Sequence, residues 1–394
     1  MSQATLPTPT RRSRRGMTER TREALTAYSF LAPFLIFLII FFVYAFIRTV
    51  FFSFTDYNLF NNNVAQHLGP ITVTTPPLVG VSQYQTIFNQ PLFRTALANT
   101  LIYSITVTVL QTFGALLLAI ALNQRIQGLG YFRTAYYLPS ITSSVAITLI
   151  FIWLFNAHGT ISYISGFLSN HSGPILAFLG ALVVAQVLQV LWERSRRLPA
   201  GWFDPVLLIT SSLVALLAAF LLYAFGVVTV GTAETPLMNW LSTRDKLFGF
   251  IPYPLLFIIV QNTFTTIPTL MLFFLAGLQG VSKSLYEASE MDGANAMQKF
   301  RFITVPTLRP VTFYVVTVSI IGTLQLFDQV SLTSAVSPLE SNITLAYYVF
   351  NNVFSSAGFA KVGTASAAAI ILAALTMLIV VIQRRFIVSD KGVS

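Results

Sequence analysis

Eight long apolar stretches divide this chain, at about Tyr28–Phe52, Thr95–Leu122, Tyr136–Phe155, Pro174–Trp192, Val206–Val230, Leu255–Leu278, Val311–Val330 and Gly363–Ile382. Crossing a hydrocarbon core of about 30 Å takes roughly 20 residues of helix, a length that every stretch approaches or exceeds. Strands of a membrane barrel would be shorter and would alternate apolar with polar residues, which these stretches do not. The pattern predicts an all-α, polytopic membrane helix bundle of about eight transmembrane helices.

The polar segments between the stretches divide the chain further. Residues 1–25, rich in Pro, Thr, Ser and Arg, read as a disordered tail. Residues 26–94 hold the first helix and a long connection, Asp56–Arg94, that can form a small cap or a plain loop. Residues 95–384 hold the other helices. Among these the fourth and fifth, joined by "WERSRRLPAGWFD", carry almost no polar residue that could face a solute. Adding helices as a pair leaves the orientation of everything downstream unchanged. About 173–251 is therefore read as a hairpin inserted into a six-helix core. The segment 279–310 is unlike the rest, being charged and broken by glycine.

Composition agrees: 55% of residues are hydrophobic, 35 are Phe and 9% are charged, more apolar side chain than a soluble core can bury. A net charge of +10 would suit nucleic acid if it formed a patch, but the cations lie between apolar stretches, so no nucleic acid partner is expected. They act as topology signals. With the N-terminus in the cytoplasm, 18 of the 23 Lys and Arg fall on the inner side, leaving Arg94, Arg244, Lys246 and Lys361 outside and Arg48 in the first helix. Both termini are expected inside, and so is 279–310. The first stretch is too long for a cleaved signal, and no small-residue cleavage site follows it. The absence of cysteine removes disulfides, thiolate nucleophiles and Cys-ligated metals. His67, His158 and His171 are scattered over external segments without an H-E-x-x-H or G-x-S-x-G pattern, so neither a metal site nor a hydrolase is expected.

The segment "LYEASEMDGANAMQKFRFITVP" runs from Leu285 to Pro306. Ser284 and Glu287 fit a capping box at a helix start. Gly293 permits a backbone bend, and Asp292 is placed to cap a second helix running toward Phe302. Pro306 and Pro310 close it before the next span. Two short helices at an angle should result, with Tyr286, Met291, Met297 and Phe300 offering apolar faces. Such an element serves either as an amphipathic connector on the lipid surface or as a docking knob for a soluble partner.

Glu287-Ala288-Ser289, then Gly293 after three residues, then Ile303-Thr304-Val305-Pro306 after nine more, resembles the EAA motif of permease subunits of ATP-binding-cassette (ABC) importers. Ser289 replaces the motif's third residue and Val305 its leucine. "LAPFLIFLIIFFVYAFIRTVFFSFTDYN", "FRTALANTLIYS", "YFRTAYYLPSITSSVAITLIFIWLFN", "FFLAGLQGVSKSLYEASEMDGA" and "IGTLQLFDQVSLTS" are similar to segments of carbohydrate importer permeases of the maltose and glycerol-phosphate type. The similarity covers nearly the whole chain except about Gly173–Ile251.

The resemblance implies a type I ABC importer permease fold, multi-pass in the cell membrane of a prokaryote. It implies that Tyr286, Glu287, Ala288, Ser289, Asp292, Gly293, Ala294, Ile303 and Pro306 form a coupling loop seated in a cleft of a cytoplasmic ATPase. Implied partners are two ATPase subunits, a second permease chain (a heterodimer), an extracytoplasmic solute-binding protein, the sugar substrate and the lipid bilayer. No G-x-x-x-x-G-K-[ST] loop occurs, so the chain is expected to be a transport subunit without enzymatic activity or cofactor of its own, ATP and Mg being bound by the partner ATPase.

Polar residues inside the stretches mark a candidate substrate path. Gly322, Gln325 and Asp328 recur every three residues on one face of the helix after the loop. On the helix before the loop, Gln261, Asn262, Thr263, Thr265, Thr266 and Thr269 form a polar band that Pro268 can break. The resemblance places Asn262 and Gln325 near sugar-contacting positions of maltose-type permeases, with Thr266 and Gly322 beside them departing from that pattern. Interhelical hydrogen bonding is the plain alternative for the same residues. Amide and Thr side chains suit a neutral sugar, whereas glycerol phosphate or another polyol phosphate would favour cations in the path, where Arg48 alone is available. An ion-coupled secondary transporter, the remote alternative, would use buried acids, and Asp328 is the sole acid within any stretch.

Overall fold

The computed structural model describes residues 19–58, 64–68, 71–123, 129–196, 201–202, 204–231, 239–354 and 360–388. Among the described residues, eight helical runs have the length and hydropathy to cross a membrane, as the apolar pattern predicts. The first comprises α1 (Glu19–Leu38), a π turn at Ile39–Val43 and α2 (Tyr44–Ser53). It starts inside the segment expected to be disordered, because Glu19, Arg20, Glu23 and Ala24 are good helix formers that hydropathy does not register. Residues 1–18 of that expected tail lie outside the described residues. No residue of α1 is buried, whereas α2 packs on the last helix of the chain.

The connection after α2 is a small cap. Strand β1 (Val64–Leu68) pairs antiparallel with β2 (Ile71–Thr75), and α3 (Ser82–Asn89) follows. Helix α4 (Pro91–Leu122) opens with proline, whose missing N–H costs nothing at a first helical position. Then come α5 (Leu129–Ile141), α6 (Ser144–Phe155), α7 (Thr160–Asn170), α8 (Ser172–Ser195) and α9 (Pro205–Ala224). A two-residue ribbon, β3 (Lys246–Leu247) with β4 (Ile251–Pro252), leads into α10 (Tyr253–Gln279). Helices α11 (Lys283–Met291) and α12 (Ala296–Lys299), a π turn at Phe300–Thr304 and α13 (Val305–Thr307) make the charged loop. The chain ends with α14 (Arg309–Leu324), α15 (Asp328–Thr333), α16 (Leu339–Asn342), α17 (Leu345–Val353) and α18 (Val362–Val388).

Helix α4 is the axis of the bundle, with α10 and α14 on its flanks. Tyr103, Leu255, Phe257 and Ile258 are fully buried in one core cluster, and Ala115, Ala119, Met271 and Phe274 in a second. A third joins α3, α4, α17 and α18 through Ile87, Phe93, Tyr348 and Ala368. A polar seam also stitches α4 to its neighbours. Ser104 and Thr323 hydroxyls lie 2.9 Å apart, Ser319 Oγ donates to Gln111 Oε1 at 2.8 Å, and Gln111 Nε2 donates to Asn262 Oδ1 at 2.7 Å. Lipid tails offer no competing partners for such groups, so the bonds fix which helix faces meet.

Two stretches expected to be continuous helices are broken. The backbone departs from helix at Thr142–Ser143, between α5 and α6, and again at Gln325–Phe327, between α14 and α15. Gly322, Gln325 and Asp328 therefore do not share a helix face. Gln325 is the C-cap of α14, and Asp328 is the first residue of α15. A side chain from the following segment satisfies the break: Thr344 Oγ1 donates to the Leu326 carbonyl at 2.7 Å, while Asn342 Nδ2 donates to Thr333 Oγ1 at 2.9 Å at the far end of α15. Irregular backbone at membrane depth persists where such partners satisfy it.

Helices α8 and α9 pack on one another, and among the described residues α7 is the helix that shares an appreciable contact with them. Their few polar residues face each other. Ser211 Oγ lies 2.9 Å from Gln189 Oε1, and Gln186 Nε2 donates to the Trp202 carbonyl at 3.0 Å. The Gly231 N–H donates to the Asn170 carbonyl at 2.7 Å, so the hairpin leaves and rejoins the bundle at one point. The accessory segment expected at 173–251 is thus drawn too long. Leu241 and Ile251 are buried in the core beside Tyr103 and Leu255.

Candidate functional site: a polar cavity and a coupling loop

A cavity of about 230 Å³ lies where interrupted helices meet. Ser140, Thr142 and Ser144 line it from the break between α5 and α6, and Gln261, Asn262, Thr265, Thr266 and Thr269 line it from α10 around Pro268. Gln329 of α15 closes it, with Pro139 and Ile147 as the apolar remainder and no charged side chain among the described residues. Gln261 is 1% exposed; its Nε2 donates to Thr148 Oγ1 at 2.6 Å, and its Oε1 has no partner. A buried carbonyl left unsatisfied costs free energy, and rotation of the Gln261 side chain toward the cavity would let a solute hydroxyl recover it. Asn262 Oδ1 accepts from Gln111 at 2.7 Å and lies 3.4 Å from Thr266 Oγ1, so this pair combines interhelical bonding with a place in the wall.

Of the residues expected along the substrate path, Asn262 and Thr266 come together here. Gly322, Gln325 and Asp328 do not line the cavity, and all are exposed. Gln329, one residue past Asp328, takes the place expected for them because the helix break rotates α15. Ser140, Thr142 and Ser144 were missed as wall residues, although the hydroxyl-rich run after Pro139 was the available signal. Arg48 is elsewhere, its guanidinium 4.7 Å from the centroid of the Phe52 ring.

At one end of the bundle the charged loop forms two short helices, as its sequence predicts, but with different caps. Ser282, not Ser284, is the N-cap of α11, and the capping box falls at Asn295 and Gln298. There the Gln298 N–H donates to Asn295 Oδ1 at 2.9 Å and the Asn295 N–H to Gln298 Oε1 at 2.8 Å. Asp292 is the C-cap of α11 and caps no second helix. The cause is Gly293, at φ +75°: its N–H reaches the Glu290 carbonyl at 3.0 Å, and the Ala294 N–H reaches that of Ser289 at 2.9 Å. These are the two bonds of a Schellman turn, which consumes Gly293 and Ala294 before a new helix can start.

Two side-chain contacts brace the loop. The hydroxyls of Tyr286 and Thr304 lie 2.8 Å apart, and Lys299 Nζ donates to Glu290 Oε1 at 2.7 Å. Lys299, by that hydrogen bond and by its charge, holds the Glu290 carboxyl below the usual carboxylate range. Tyr286, Ser289, Ala294 and Ile303 are half-buried, while Glu287, Ala288, Asp292, Gly293 and Pro306 are exposed. Met291 is 89% and Met297 70% exposed, so the loop presents apolar side chains on a polar body. Tyr286→Phe is expected to cost about 1 kcal/mol of local stability. Amide exchange across residues 284–292, read by mass spectrometry, should rise about fivefold; unchanged exchange would mean that the hydroxyl pair does not brace the loop.

An uncharged polar cavity among interrupted membrane helices, with an amphipathic two-helix loop at one end of the bundle, defines a membrane-embedded transport subunit. The family model described as binding-protein-dependent transport system inner membrane component matches residues 115–388, and the chain belongs to that family. The match encloses the cavity and the loop. The chain is 28% identical over 93% of its length to the arabinooligosaccharides transport system permease protein AraP of Bacillus subtilis (strain 168), covering 89% of that protein. It is 26% identical over 70% of its length to the lactose transport system permease protein LacF of Rhizobium radiobacter, covering 70% of it. Its fold is similar to that of a chain in the crystal structure of a bacterial alginate ABC transporter in complex with an alginate pentasaccharide-bound periplasmic protein. The TM-score is 0.61 at 17% identity, over 95% of this chain and 99% of that one.

Proposed function

We propose that this chain is the membrane-spanning permease subunit of an ATP-driven importer for a neutral sugar or oligosaccharide, forming half of its translocation pathway. The carrying observation for the substrate class is the cavity wall, built from hydroxyl and amide side chains without a charge. Such groups exchange hydrogen bonds with sugar hydroxyls, whereas a phosphate dianion among them would have no counter-charge. The relatives named for arabinooligosaccharides and lactose support the same class.

In this reading two cytoplasmic ATPase subunits bind ATP and Mg, and a second permease chain completes the pathway as a heterodimer. An extracytoplasmic binding protein delivers the sugar. Both termini lie in the cytoplasm, and α8–α9 is an accessory hairpin. The exposed side of the loop, from Glu287 to Gly293, seats on the ATPase. Closure of the ATPase dimer moves α11 and α12 as one body through the Tyr286–Thr304 and Glu290–Lys299 contacts. Helix α14 follows the loop directly and ends at the Gln325–Phe327 break, so the displacement reaches the cavity through α15 and Gln329.

The test is uptake by the complete transporter in proteoliposomes. Gln261→Leu removes the unpartnered acceptor at similar volume, and sugar uptake at limiting concentration is expected to fall about tenfold with basal ATP hydrolysis unchanged. Uptake of glycerol phosphate but of no neutral oligosaccharide by the unaltered transporter would overturn the substrate class.

A further inference from the structure

A second, larger cavity of about 1020 Å³ opens at the end of the bundle opposite the coupling loop. The first turns of α4, the β3–β4 ribbon and α16 form it, bringing together Arg94, Arg244 and Lys246. Three of the four cations that the topology assigns to the outer segments thus share one cleft. Each is exposed, and none has an ion-pair partner within 4 Å among the described residues. Glu340 is the single acid in the wall. Gathering unpaired like charges raises the free energy of the empty site, and an anion relieves it.

What lies beneath the cations indicates the kind of anion. Ala98 and Ile102 floor the cleft, and the same face of α4 continues with Ile105, Val109 and Phe113, exposed by 64%, 62% and 61%. From residue 98 to residue 113 the helix rises about 22 Å, close to the length of an extended fatty acyl chain. The rim carries apolar groups as well. The ribbon turns through Phe248 at φ +52° and Gly249 at φ +80°, leaving the Phe248 ring 83% exposed beside Phe250. A phenylalanine in the left-handed region is strained, and here its ring gains little burial within the chain. Exposed rings among cations suit the headgroup level of a bilayer.

We propose that this cleft binds an anionic glycerophospholipid, its phosphate held by Arg94, Arg244 and Lys246 and an acyl chain lying along the exposed face of α4. An acidic protein surface would satisfy the cations equally well but would leave the apolar stripe below them unused, so the lipid accounts for both features.

The test is native mass spectrometry of the purified transporter, stripped of lipid and exposed to an equimolar mixture of phosphatidylglycerol and phosphatidylcholine. The unaltered complex is expected to retain phosphatidylglycerol preferentially. R94Q, R244Q and K246Q should each lower that retention about fivefold, and E340Q should raise it by a similar factor. K361Q, which removes an outer cation outside the cleft, should leave it unchanged. Displacement of the lipid by inorganic phosphate, with no dependence on acyl chains, would overturn the proposal in favour of a free-anion site. A triple variant R94Q/R244Q/K246Q that keeps its phosphatidylglycerol but loses affinity for its binding protein would overturn it in favour of a protein partner.

Discussion

Replacing Gly293 with aspartate is expected to leave the chain in the membrane at its normal level and to reduce sugar uptake about tenfold or more. The backbone at this position sits at φ +75°, where a residue with a Cβ pays roughly 1–2 kcal/mol. Aspartate tolerates that region better than most residues, so geometry alone supplies part of the effect. The rest is electrostatic. The new carboxylate would sit beside Asp292 at the C-terminal end of α11, where the helix dipole disfavours negative charge by about 0.3–1 kcal/mol. Each 1.4 kcal/mol is a factor of ten in the population of the docking geometry. A Cβ at this site would meet nothing within 4 Å, so the fold itself is not threatened. Gly293→Asn, which shares the backbone tolerance without the charge, should keep uptake within about threefold of normal. Should Gly293→Asp transport normally at equal abundance, the loop would not be the transmitter.

Gly363→Ala is expected to act on stability instead. A Cβ there would overlap the Thr55 carbonyl oxygen and lie 3.2 Å from the Tyr57 nitrogen, both backbone atoms that cannot rotate away. The Gly363 N–H also donates to the Tyr57 carbonyl at 3.1 Å, and the adjoining Lys361 bridges to Asn58. Overpacking of about 1–3 kcal/mol and one weakened hydrogen bond of about 1 kcal/mol add to roughly 3 kcal/mol. The loss would part the end of the first membrane run from the start of α18. Reversible unfolding in detergent should show it, with Gly322→Ala, whose Cβ would meet nothing within 4 Å, within about 0.5 kcal/mol of wild type. Equal behaviour of the two variants would mean that the close approach at Thr55 relaxes freely.

The number of membrane helices and the bend at Gly293 were legible because each rests on a local rule: apolar length for the one, glycine's freedom at positive φ for the other. The breaks at Thr142–Ser143 and Gln325–Phe327 follow no local rule. Leu326 and Phe327 are themselves apolar, and the group that satisfies the freed Leu326 carbonyl, Thr344, comes from a later segment. The expected alignment of Gly322, Gln325 and Asp328 failed for that reason, while Asn262 and Thr266, on an unbroken part of α10, met as their spacing required. The loop caps failed differently. Asp292 and Asn295 are both residue types that cap a second helix, and the Schellman turn decides between them by fixing where that helix can begin, while the first helix starts from Ser282, which no local signal separates from Ser284.

The hydrogen bond between Asn170 and Gly231 makes the α8–α9 pair separable by design. Because the Asn170 carbonyl and the Gly231 N–H meet at 2.7 Å, the two ends of the intervening pair of membrane crossings lie side by side, and a deletion of that pair would leave ends that a short linker can join without displacing α7. Losing an even number of crossings also keeps the coupling loop on its original side of the membrane.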